Sequence, residues 1–151
     1  MNPFRWASRV YWEDTDGGGI VYYANYLRFL ERARTEWLRS LGYSQRTLAE
    51  EPGIVFAVVS LNIEYRKPAK LDDELIITCQ PHIEGAATIA FAQRIYRQGG
   101  AAPVKPDGAH NLLVEANARV ACLDARTLRP KRLPDFLAER ADARPNIKEP
   151  S

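Results

Sequence analysis

Apolar residues recur at Phe4, Trp6, Val10 and Trp12, the period-2 pattern of a half-buried strand. The next segment, Glu13-Asp14-Thr15-Asp16-Gly17-Gly18-Gly19, has the chemistry of a turn, because Asp and Thr bond nearby backbone and glycines allow positive φ. The period then lengthens. Tyr26, Leu30, Ala33, Trp37 and Leu41 follow spacings of four, three, four and four, and Leu27, Phe29 and Leu38 widen the stripe. Arg32 and Glu36 can pair at i,i+4, and Gly42 lies where a helix is commonly closed by glycine. This predicts a helix from about Tyr22 to Leu41, roughly 30 Å long at 1.5 Å per residue, that needs cover around most of its circumference.

After a short helix over Ser44–Glu51 the chain reads as antiparallel β. Ala57, Val59, Leu61, Ile63 and Tyr65 alternate with polar Ser60, Asn62 and Glu64, and Pro68 ends the run. Strands are expected over Leu75–Gln80 and Ala87–Arg97, joined near Gly85. In the last strand Leu112, Val114, Ala116, Ala118, Val120 and Cys122 face one way, and Glu115, Asn117 and Arg119 the other. A Gly/Pro-rich loop over Gly99–His110 is long enough to move, and the tail from about Ala141, with Pro145 and Pro150, is expected to be disordered. The pattern is α+β: one domain over residues 1–140, without internal repeats, in which a five-stranded antiparallel sheet wraps one long helix.

The 151 residues, 46% hydrophobic and 26% charged, suffice for a soluble core without disulfide or structural metal. A net charge of +2 with scattered basic residues gives no nucleic-acid signature. Arg66-Lys67 with Lys70, and the run Arg126–Arg132, read as solvated loops. The start lacks the apolar stretch of a signal peptide, and no run reaches the length of a membrane span. Cys79 and Cys122 lie in apolar segments without CxxC spacing and read as buried reduced thiols, so a cytoplasmic location is expected.

The chemistry concentrates before the long helix. A carboxylate in a glycine turn there faces free backbone N–H groups and the positive end of the helix dipole, which together can stabilise an oxyanion. Such a carboxylate can act as general base or nucleophile towards the carbonyl held there. On spacing alone, a simpler account is that both aspartates only order an Asp-Gly turn. A calcium loop fails because Gly18 takes the third ligand position and Asn25 replaces the closing glutamate. The glycines match neither GxGxxG nor a P-loop, and there is no GxSxG. His82 and His110 lack metal-ligand spacing, and the cysteines sit where burial raises a thiol's pKa.

The segment from Val10 to Tyr26, with Glu31-Arg32-Ala33-Arg34-Thr35-Glu36, Glu64-Tyr65, Pro68 to Asp73 and Phe91 to Ile95, resembles the 4-hydroxybenzoyl-CoA thioesterase family, closest to its Tol-Pal-associated acyl-CoA thioesterase branch. The resemblance spans about Phe4 to Pro134. It implies a hotdog fold, a homodimer or homotetramer, no cofactor or metal, and hydrolysis of an acyl-CoA or acyl-carrier-protein thioester. It makes Asp16, second of the D-x-D pair, the catalytic carboxylate and the backbone N–H of Tyr23 the oxyanion donor. Some close relatives carry histidine at the Tyr23 position, an Arg-Gly-Thr-Ser-like hairpin where this chain has Glu84-Gly85-Ala86-Ala87, and a shorter loop than Gly99–His110. Two other readings stand beside thioester hydrolysis. One is a hotdog dehydratase, which would need a histidine in the site; the other is a non-catalytic acyl-binding module of an envelope-maintenance complex.

Overall fold

In the computed structural model, which describes residues 3–99 and 111–142, the strands β1 (Phe4–Arg9), β2 (Ile54–Tyr65), β3 (Glu74–Ile83), β4 (Thr88–Arg97) and β5 (Leu112–Asp124) form one antiparallel sheet in the order β1-β3-β4-β5-β2. The helix α1 (Tyr26–Ser40) lies across it, chiefly against β3, β1 and β4, and buries Tyr26, Phe29, Leu30, Ala33, Trp37 and Leu38. The sheet wrapped around one long helix is the expected α+β hotdog architecture. Gly42 closes α1 at φ +96°. The N–H groups of Tyr43 and Gly42 return to the carbonyls of Leu38 (3.3 Å) and Arg39 (2.9 Å), a Schellman closure. A short helix α2 (Gln45–Glu50) follows, capped by Ser44 Oγ accepting from Thr47 N–H at 3.1 Å.

Four features differ from the sequence reading. First, α1 begins at Tyr26 rather than near Tyr22, after a 3₁₀ turn over Tyr23–Asn25. Tyr22 is held extended at φ −64°, ψ 132° by its N–H bond to the Asp14 carbonyl (3.1 Å), so the helix cannot start earlier.

Second, β2 carries a bulge between Val58 and Ser60. Residues directly opposite share a face, and β5 has its buried row at Ala116, Ala118, Val120 and Cys122. The matching row on β2 is Ile63, Leu61, Val58 and Phe56, so Ala57 and Val59 fall out of the expected alternation. A second bulge, opposite Ile95 and Tyr96, buries Leu113 as well as Val114 and leaves Leu112 only partly covered.

Third, a helix α3 (Asp135–Asp142) follows the sheet, where only β structure and then a tail were expected. Fourth, the tail expected from about Ala141 begins later: Ala141 is buried in α3, which runs to Asp142, while residues 143–151 and most of the Gly99–His110 loop lie outside the described residues.

The core has two parts. One, around the start of α1, contains Val10, Val21, Tyr26, Phe29, Leu30, Leu75, Ile77 and Ile95. The other, around its end, contains Trp37, Leu38, Leu48, Ile54, Phe91, Leu133, Leu137 and Ala141. Between them Gln93, buried on β4, pins the helix to the sheet. Its amide donates to the Leu30 carbonyl and accepts from Arg34 Nη1, both at 3.0 Å. Only the middle of the inner face of β2 is left open: α1 lies over β3, β1 and β4, Phe56 and Ile63 pack against the two cores, and Val58 and Leu61 between them remain 49% and 38% exposed.

Candidate active site at the start of the long helix

The stretch between β1 and α1 folds into a closed hairpin. The N–H of Tyr22 donates to the Asp14 carbonyl, Thr15 and Val21 form a β-bridge, and the N–H of Asp16 donates to the Ile20 carbonyl at 2.9 Å. The Gly17-Gly18-Gly19 tip makes the reversal possible, with φ of +87° at Gly17 and +96° at Gly19, a region that L side chains rarely adopt. Residues 69–71 support the hairpin from below: Val21 N–H donates to the Ala69 carbonyl and Leu71 N–H to the Gly19 carbonyl, both at 2.9 Å. What reads in sequence as a flexible turn is a backbone-bonded structure docked on the loop before β3.

The two aspartates occupy different environments. Asp14 is 6% exposed, and its Oδ2 accepts from the Tyr11 N–H at 2.8 Å. Asp16 is exposed at the tip, where Oδ1 accepts from the Gly18 N–H at 2.7 Å; no partner for Oδ2 occurs among the described residues. Gly18 sets how closely the Asp16 carboxylate can approach, since a Cβ on it would stand 3.1 Å from Asp16 Oδ1. Each carboxylate therefore accepts one backbone N–H through one oxygen, and what separates them is exposure: Asp14 is enclosed, whereas Asp16 stands open to solvent.

Tyr23 opens the 3₁₀ turn, so its N–H precedes any intrahelical acceptor, and it has no acceptor among the described residues. The donor points out of a helix start, where positive partial charge accumulates. Its phenol is 62% exposed, whereas its carbonyl accepts from Tyr65 Oη at 3.1 Å. The Tyr65 ring meets Tyr23 edge-on at 6.2 Å and Tyr26 at 5.5 Å. The Tyr26 hydroxyl in turn accepts from the Ala69 N–H at 2.9 Å. Burial pushes both the Tyr65 and Tyr26 pKa above the usual phenol value, so Tyr65 stays a donor to the Tyr23 carbonyl at neutral pH.

The sequence-predicted pair, Asp16 and the Tyr23 N–H, thus sits on one hairpin–helix junction. The supporting contacts from Tyr65 and Ala69 were not derivable from spacing, because they cross 42 and 43 positions; only the family resemblance drew attention to Glu64-Tyr65 and Pro68-Ala69. The other candidates lie apart. The hairpin adjoins the Glu74 end of β3, where Val10 N–H bonds the Asp73 carbonyl. His82 is eight residues further along that strand, about 26 Å away at 3.3 Å per residue; His110 is outside the described residues. Cys79 and Cys122 are buried, and burial raises both thiols above the usual cysteine pKa, Cys79 the more strongly. Among the described residues, no three His, Cys, Asp or Glu side chains gather as metal ligands would.

Residues 10–141 match the model of the thioesterase-like superfamily. The acyl-CoA thioesterase YbgC of Haemophilus influenzae is 43% identical over 133 residues, covering 88% of this chain and 90% of that protein. Among solved structures, a probable thioesterase from Bartonella henselae is 32% identical with a TM-score of 0.74, covering 86% of this chain and 98% of the other. The 4-hydroxybenzoyl CoA thioesterase from Pseudomonas sp. strain CBS-3 is 25% identical with a TM-score of 0.77, covering 91% and 98%.

Proposed function

The chain belongs to the thioesterase-like superfamily, and from that premise we propose that it hydrolyses acyl-CoA-type thioesters to free acid and thiol, with Asp16 as the essential carboxylate and the Tyr23 N–H as oxyanion donor. The observation that carries this reading is an exposed carboxylate at the tip of a hairpin that runs directly into a turn whose first N–H has no acceptor among the described residues. In the base route, Asp16 takes a proton from water, and the resulting hydroxide adds to the thioester carbonyl. The Tyr23 N–H bonds the tetrahedral oxyanion, which collapses with loss of thiolate. In the nucleophile route, Asp16 attacks the carbonyl and expels thiolate, and water hydrolyses the mixed anhydride to restore the carboxylate. Label in Asp16 after a single turnover in ¹⁸O-water, from attack of water on the Asp16 carbonyl of the anhydride, identifies the second route, and trapping of the anhydride by hydroxylamine reveals it where water attacks the acyl carbonyl instead. An acyl-CoA panel with a thiol reagent tests the activity itself, and absence of thiol release across the panel would exclude the reading. The dehydratase alternative gains no support, since His82 stands at the far end of β3.

The functional unit in this reading is a homodimer, or a homotetramer of two such dimers. A twelve-residue edge strand with Val58 and Leu61 exposed at the middle of its inner face needs a partner, and a second β2 with its own helix supplies both hydrogen bonds and cover. A stable, active 17.1 kDa monomer in light scattering would exclude this assembly. The cytoplasm is the compartment assigned, consistent with Cys79 and Cys122 both being free thiols. An acyl-carrier-protein thioester offers the same carbonyl, and comparing both donors in one assay decides between them.

A further inference from the structure

Asn25 carries no chemistry in the proposed reaction, yet its side chain is committed. Its Nδ2 donates to the Asp14 carbonyl at 3.0 Å, the same oxygen that accepts the Tyr22 N–H at 3.1 Å, and its own N–H closes the turn onto the Tyr22 carbonyl at 2.8 Å. The residues on either side of Tyr23 are therefore stitched to the strand of the hairpin that leads to Asp16. From the opposite side Tyr65, on β2, holds the Tyr23 carbonyl at 3.1 Å. The peptide units around the Tyr23 N–H are fixed at both ends by side chains distant in sequence, by 11 positions for Asn25 and 42 for Tyr65.

We propose that Asn25 and Tyr65 are positioning residues: together they clamp the Tyr23 turn, Asn25 to the hairpin bearing Asp16 and Tyr65 to β2, and so set the carboxylate against the oxyanion donor. The proposal rests on the assignment of Asp16 and the Tyr23 N–H above. Neither side chain transfers a proton or forms a bond to substrate; each restricts a backbone whose misplacement by about 1 Å costs on the order of 10²-fold in rate. A 3₁₀ turn of three residues has few hydrogen bonds of its own to resist such movement. Tyr65 stands on the edge strand, so the clamp also links the bare β2 seam to the reacting centre.

The test uses the full chain, with the best substrate from the acyl-CoA panel, and compares wild type with Tyr65→Phe, Asn25→Ala, Asn25→Asp and Asp16→Asn. Tyr65→Phe keeps the ring packing and removes only the hydroxyl; it should lower kcat about tenfold, within the reach of one hydrogen bond and a small displacement, and leave KM and Tm nearly unchanged. Asn25→Ala should act in the same way. Asn25→Asp should fall further, because it turns a donor into a carboxylate facing the Asp14 carbonyl. Hydrogen exchange at the Asn25 amide, which bonds the Tyr22 carbonyl at 2.8 Å, should quicken in Tyr65→Phe, which serves alone if the Asn25 variants do not fold. Wild-type kcat in both Tyr65→Phe and Asn25→Ala, with Asp16→Asn inactive, overturns the clamp and leaves the active-site assignment standing. A rise in KM with kcat unchanged also overturns it, since that marks substrate contact. Wild-type turnover by Asp16→Asn removes the assignment and the clamp together.

Discussion

At its C-terminal end α1 is enclosed by apolar groups. Trp37 meets Phe91 edge-on at 5.4 Å, Leu38 packs with Leu48 and Ile54, and α3 seals the side with Leu137 and Ala141 fully buried and Phe136 against Tyr43 at 4.6 Å. At its N-terminal end the helix has comparable apolar support beneath, from Phe29, Leu30, Leu75 and Ile77, but the groups above remain unspent. Tyr11, Trp12, Tyr22 and Tyr23 are between 46% and 63% exposed, Asp16 keeps a carboxylate oxygen, and the Tyr23 N–H lacks an acceptor. The closed end satisfies itself and contributes stability. The open end is held by backbone bonds and by Asn25 and Tyr65, so it stays ordered while its polar groups remain available. The two ends differ in what a well-supported segment leaves unsatisfied, rather than in the packing beneath it.

If that division is right, substitutions at the two ends should separate rate from stability. Asp16→Asn should give the largest effect, a fall in kcat of at least about 10²-fold, the low end of general-base contributions, with an unchanged melting curve. Asp14→Asn keeps much more activity, because the buried Asp14 carboxylate serves the Tyr11 N–H; near-equal losses in kcat for the two would break the distinction between them. At the closed end, Leu137→Ala should cost about 2–5 kcal/mol, the usual range for emptying a buried leucine site. It should lower Tm while kcat measured well below Tm stays at the wild-type value. A kcat loss there without destabilisation would show that the ends are coupled.

Gly18→Ala sharpens the open end. The added methyl would stand 3.1 Å from Asp16 Oδ1, so the carboxylate must shift. A several-fold loss of kcat is expected, below the ~10²-fold that a full ångström of misplacement brings, with little change in thermal denaturation. The smallest effect should be that of Tyr23→Phe, which retains the N–H; kcat should fall only modestly, and a loss on the scale of Asp16→Asn would bring the hydroxyl into the chemistry.

The element order of the sheet and long helix was legible because it rests on local rules. A 3.6-residue stripe marked α1, period-2 alternation marked most of the strands, and glycine marked the turn at Gly42 and the tip at Gly17–Gly19. Asp16 stood out for the same reason, as a carboxylate in a turn next to a helix start within one short segment. The sequence alone did not separate Asp14 from Asp16 by environment; the family resemblance did, and burial shows the physical difference. The rest depended on residues far apart in the chain. Pairing with β5 revealed the bulge that reverses the phase of β2. The position of α1 over β3, β1 and β4 left Val58 and Leu61 bare. Packing against the core at the end of α1 made a helix of Asp135–Asp142, whose eight residues are too few for a strong periodic signal. The hydroxyl of Tyr65 reaches Tyr23 across 42 positions. Periodicity carries information over one or two turns of chain, whereas these contacts exist only once the strands have paired, and so the tertiary structure alone decided how the Tyr23 turn is held.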